Sequence, residues 1–73
     1  MADTRVVRLH RRLYTRAAID AAVAAFAHLC DASVRVEGDY RVVELRNVDP
    51  DVADVIDGEF ANFVLAETIE RRR

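Results

Sequence analysis

The sequence predicts an α+β fold: a two-layer sandwich of order β-α-β-β-α, with a three-stranded antiparallel sheet in the order 2-3-1 and two helices on one face. Three observations carry this. Residues 4–13 and 32–47 alternate apolar and polar side chains with a period of two. Residues 15–30, and the stretch from Pro50 onward, repeat apolar side chains at helical spacing. Gly38-Asp39 separates two alternating runs, as the central pair of a type II′ or I′ hairpin does. A right-handed β-α-β crossover then slots the third strand between the first two. Two amphipathic helices over one small sheet give two layers around one core. The result is a ferredoxin-like unit without its last strand, and both sheet edges stay open.

Each element has its own justification. In the first strand, predicted over about 4–10, Val7 and Leu9 alternate with Arg8, while Arg5, Arg8 and His10 line the wet face or margins. The first helix, 15–30, is Ala-rich, and Ala is the best helix former. Ile19, Val23, Phe26 and Cys30 form its stripe, Thr15 caps it, and His28 faces water. The hairpin pairs Glu37 with Tyr40 and Val34 with Val43. Its core face is Ala32, Val34, Val36, Val43 and Leu45, and its outer face Arg35, Glu37, Tyr40, Val42, Glu44 and Arg46. Asp49-Pro50 opens the second helix, with Asp49 as cap and Pro50 in the first helical position, where a missing N–H costs nothing. That helix is expected from 50 to about 70, with Val52, Val55, Ile56, Phe60, Phe63 and Val64 as its stripe and Gly58 as a break or close approach.

Length and charge narrow the function classes. A chain of 73 residues reads as one domain, 1–73, with a small core. One Cys and two separated His exclude an internal disulfide and a Cys/His metal site, so no metal and no cofactor are expected. No apolar run is long enough to cross a membrane, and the first residues lack the apolar region of a signal peptide, so a cytoplasmic setting is expected. All eleven basic residues are Arg, a bias that a GC-rich coding composition explains. Residues 1–16 carry five of them against Asp3, residues 47–70 carry seven acids and no base, and 71–73 are Arg-Arg-Arg. A net charge of −2 with split patches argues against nucleic acid as partner and suits docking on a protein of complementary charge.

Glu59 and Asn62 are the odd residues of the second helix. On an unbroken helix Glu59 falls on the apolar side, where a carboxylate needs a pair, a cap or a function. It is either a first-turn acid after a break at Gly58 or a contact to a partner. Cys30 reads as a small core hydrophobe, and Phe26, Phe60 and Phe63 as core. Arg71, Arg72 and Arg73 are a solvated helix end or an electrostatic dock. No Gly-rich phosphate loop, nucleophile elbow or Cys-His pair is present, so no catalytic residue is assigned.

Read as a whole, Tyr14 to Arg71 resembles the HxsD-type small protein of His-Xaa-Ser peptide-maturation systems. The resemblance is carried by Tyr14-Thr15-Arg16-Ala17-Ala18-Ile19 before the Ala-rich helix, by Phe26-Ala27-His28-Leu29-Cys30-Asp31-Ala32-Ser33-Val34, and above all by a Glu-Phe-x-Asn box, Glu59-Phe60-Ala61-Asn62, followed by Leu65 and the basic end. It implies an accessory subunit, without cluster-binding cysteines, that binds a radical SAM maturase, its precursor peptide, or both. Partner contacts then fall to Glu59, Asn62, Arg71, Arg72 and Arg73. The rival readings are a self-associating domain, a homodimer through the first strand, and a small ferredoxin-like hydrolase or isomerase that lacks a credible nucleophile or base.

Overall fold

A computed structural model describes residues 4–72. The elements are β1 (Arg5–His10), α1 (Arg16–Ala25), β2 (Asp31–Glu37), β3 (Tyr40–Arg46) and α2 (Ile56–Arg71). The sheet runs β1-β3-β2 with both pairs antiparallel, as the alternation and the crossover rule predict. The hairpin register is the expected one, with Glu37 opposite Tyr40 and Val34 opposite Val43. Of its two turn residues only Gly38 has a positive φ, 59°, which selects type II′ over I′. A Cβ at Gly38 would meet no atom within 4 Å, so backbone conformation and not space favours glycine there.

The core lies between the sheet and the helices. Val7, Leu9, Val43 and Leu45 face Ala18, Ile19 and Ala22 of α1 and Ile56, Phe60 and Val64 of α2. Phe26 meets Phe60 and Phe63 edge-on, at centroid distances of 5.3 and 5.8 Å, and so joins the ends of the two helices. Phe60 is fully buried, whereas Phe26 is half-buried at the margin.

Both helices are shorter than their sequence patterns. The first, expected over 15–30, ends at Ala25. Thr15 caps it as predicted, its Oγ1 accepting from Ala18 N at 3.1 Å. Beyond Ala25 the bonds tighten to i−3 spacing, Ala27 N to Ala24 O and Leu29 N to Phe26 O, and the chain turns into β2. Cys30 is thus buried just past the helix rather than on it.

The second, expected from 50, begins at Ile56. Asp49 does not cap it: its Oδ1 accepts from Asp51 N at 2.9 Å in a local turn, and Val55, the residue before the helix, offers no side-chain cap bond. Two tight turns follow, Val52 N to Asp49 O and Val55 N to Val52 O. The carbonyl of Ala53, which a continuous helix would use internally, instead accepts from Arg5 Nε at 3.1 Å and Nη2 at 3.0 Å. Arg5 of β1 therefore clamps the lead-in to α2, and the strand margin where it was expected is the helix side. Val52 packs on the core from this turn, while Val55 lies outside α2 and is largely exposed.

Two hairpin residues also change sides in environment. Val36, expected in the core, is 57% exposed. It is the last apolar residue of an edge strand and has Arg41 on one side only. Val42, expected on the wet face, is 1% exposed. It stands in the central strand, directly opposite Arg8 on one neighbour and Arg35 on the other.

Candidate partner-binding surface

The Glu-Phe-x-Asn box sits in the first two turns of α2. Because the helix starts at Ile56, Glu59 is a first-turn acid, its N–H bonded to Val55 O at 2.9 Å. A carboxylate there faces the positive end of the helix dipole. Of the two sequence readings this is the first-turn acid and not the carboxylate on an apolar stripe: Ile56, Phe60, Val64 and Thr68 make the buried row, and Glu59 is exposed. Gly58 lies within the first turn and does not break the helix. Asn62 is exposed as well, one turn on from Glu59. Among the described residues neither side chain makes a hydrogen bond or ion pair.

Arg71 and Arg72 are at the other end of α2. Twelve residues separate Glu59 from Arg71, about 18 Å along the axis at 1.5 Å per residue, so the helix does not gather the five expected contacts into one site. Arg71 pairs with Glu67 at 3.7 Å. Arg72 donates Nη2 to the Arg12 carbonyl at 3.1 Å, tying the helix end to the chain after β1. Arg73 lies outside the described residues.

A second polar surface is the outer sheet face that the alternation predicts. The sheet face away from the helices carries Val6, Arg8 and His10 of β1, Tyr40, Val42, Glu44 and Arg46 of β3, and Ser33, Arg35 and Glu37 of β2. Arg35 bonds Glu37 and reaches Glu44 at 3.4 Å, and Arg46 reaches Glu44 at 3.4 Å. The hydrogen bond from Arg35, and then its charge, hold the Glu37 carboxyl below the usual carboxylate range. Arg8 lies 4.8 Å over the Tyr40 ring, which also meets His10 edge-on. Alternation placed these residues on one face, but not their partners.

Two buried polar groups serve the fold. Thr68, 1% exposed, accepts at Oγ1 from Thr15 N at 3.4 Å and so fixes α2 to the start of α1. Its i+4 spacing from Val64 was the available signal. Burial, and secondarily the charge of Asp31, push the Cys30 thiol up from its ordinary value, and Sγ lies 3.6 Å from Phe26 O. Such a thiol is a core group, not an activated nucleophile. Among the described residues no group of three or more His, Cys, Asp and Glu is placed to hold a metal ion, and no helix is long and apolar enough to cross a membrane. Comparisons with protein-family models, with curated proteins and with solved structures return no match.

Proposed function

We propose that the chain is a non-catalytic accessory subunit of a radical SAM peptide-maturation system, acting in the cytoplasm and binding the maturase, its precursor peptide, or both through Glu59, Asn62 and the basic end of α2. The observation that carries this is how the Glu-Phe-x-Asn box divides. Phe60 is fully buried and belongs to the core, whereas Glu59 and Asn62 are exposed and bonded to nothing else among the described residues. Their side chains are left over from folding at the segment where the resemblance is most specific. A carboxylate and an amide one turn apart can accept and donate together against a partner's backbone or guanidinium groups. The test is binding of Glu59→Gln and Asn62→Ala variants to the maturase and to the precursor peptide, with thermal unfolding measured on the same samples. Weakened binding at an unchanged midpoint is the expected result.

A further inference from the structure

We propose that the outward face of α2 docks an amphipathic partner helix, one with aliphatic side chains at alternating spacings of three and four residues and basic side chains along its flanks. The proposal rests on the reading of the chain as a binding subunit and names what the Glu59–Asn62 surface takes.

The face carries a continuous row. Val55, Gly58, Asn62, Leu65 and Ile69 follow one another at spacings of three, four, three and four residues, which is the a/d repeat of a two-helix seam. Val55, the residue before the helix, opens the row, which covers about 21 Å of the axis at 1.5 Å per residue. All five residues are exposed, Val55 at 49%, Leu65 at 44% and Ile69 at 53%, whereas Ile56, Phe60, Phe63 and Val64 pack inward.

Gly58 is a second observation. It lies within α2 and its φ is not positive. A Cβ there would meet no atom within 4 Å. Neither backbone conformation nor space inside this chain calls for glycine, which weakens a helix relative to alanine. A second backbone lying across the first turn does call for it. Asn62 is a third. A single Asn in an a position of an otherwise aliphatic seam fixes register, because its amide must meet a polar group across the contact.

Charge selects the occupant. Asp57 and Glu59 lie on opposite flanks of the row, each about 100° from its centre, and Asp54 precedes them. Among the described residues no base pairs with Asp54, Asp57 or Glu59, and Asp57 Oδ1 accepts from Gly58 N at 3.0 Å. Residues 47–70 contain no Lys, Arg or His. The bases at the far end are engaged, Arg71 by Glu67 and Arg72 by the Arg12 carbonyl. A helix with Lys or Arg beside its apolar row meets these open acids. A second copy does not. Laid parallel, it sets each acid against its own counterpart. Laid antiparallel across Asn62, it sets Asp57 against Glu67 and Asp54 against Glu70.

Two fluorescein-labelled peptides, titrated with the full chain, test this. One repeats Ile-Ala-Ala-Leu-Lys-Ala-Lys over three heptads, with Asn in place of the middle Ile to face Asn62. The other has Glu for every Lys. The basic peptide should bind, weaken about tenfold from low to high salt, and bind about tenfold or more tightly than the acidic one. Leu65→Gln combined with Ile69→Gln should weaken it about tenfold or more at an unchanged unfolding midpoint, since both side chains are exposed. Gly58→Ala should raise the midpoint of the free chain and yet weaken binding, a combination that a merely structural glycine would not give. If the double variant does not fold, Gly58→Ala decides. No binding of the basic peptide, equal binding of the acidic one, unchanged binding in the variants, or a dimer in peptide-free sedimentation that Ile69→Gln dissolves would overturn the proposal. Maturase binding is measured apart. Its loss in Glu59→Gln without any peptide binding removes this proposal and leaves the accessory-subunit reading standing, and peptide binding without affinity for the maturase does the reverse.

Discussion

At the scale of single residues, neighbouring side chains in α2 have opposite roles. Phe60 is fully buried against Phe26, so Phe60→Ala should cost roughly 3–5 kcal/mol, comparable to the whole stability of so small a domain. Chemical denaturation should find it largely unfolded in water. Glu59→Gln removes only a first-turn charge, worth about 0.3–1 kcal/mol, and should unfold near the original midpoint. The outer-face network predicts a pH dependence. Glu37 has its folded pKa depressed by Arg35, so its contribution is present above the unfolded value near 4.5 and is lost as pH falls through the lower folded value. Glu37→Gln should flatten that part of the stability curve between pH 5 and 3 (approximate bounds from the carboxylate range). An unchanged acid limb would remove the Arg35–Glu37 pair from the account. Residue roles of this kind were half legible. Period and spacing identified Phe60 as core, but Val42 is buried on the outer face because it stands in the central strand with a long side chain opposite it on each neighbour, Arg8 and Arg35, a setting that alternation alone does not carry.

At the scale of elements, strands and their register followed directly from the alternation and the Gly38-Asp39 turn. Helix lengths did not. The Asp49-Pro50 signal opens two tight turns rather than a helix, and Arg5 takes the Ala53 carbonyl that those turns leave free. Arg5 and Ala53 are 48 residues apart, a distance no local pattern spans. The misplaced helix start is also why Glu59 looked like a carboxylate on an apolar stripe. Asp49→Ala should therefore lower stability by about 1 kcal/mol, as loss of one side-chain to backbone hydrogen bond does, while leaving the helical content of α2 intact. Circular dichroism at 222 nm checks this. A large loss of helical signal in the folded variant would mean that the Asp49 turn nucleates α2 rather than merely leading into it. Asn47 adds to the sharp exit from β3 with a positive φ of 51° and an Nδ2 bond to Asp31 at 2.7 Å. Asn is among the few residues that adopt that conformation at low cost.

At the scale of the whole molecule, one small core supports two separable polar surfaces: the Glu59–Asn62 end of α2 and the charged open face of the sheet. The sequence made the layer order and the open edges legible, because both follow from periodicity and chain handedness. It did not make the separation of Glu59 from the basic end legible, because proximity in a motif list is not proximity on a helix. The account turns on whether the exposed half of the Glu-Phe-x-Asn box binds a partner. The most direct measurement is calorimetric titration of the wild-type chain and of Glu59→Gln into the radical SAM maturase, with and without precursor peptide, beside thermal unfolding of both proteins. The account predicts saturable binding by the wild type, weakened about tenfold or more in Glu59→Gln, at matching unfolding midpoints. It is contradicted if the wild type binds neither maturase nor peptide, or if Glu59→Gln unfolds the isolated chain while binding per folded molecule is unchanged.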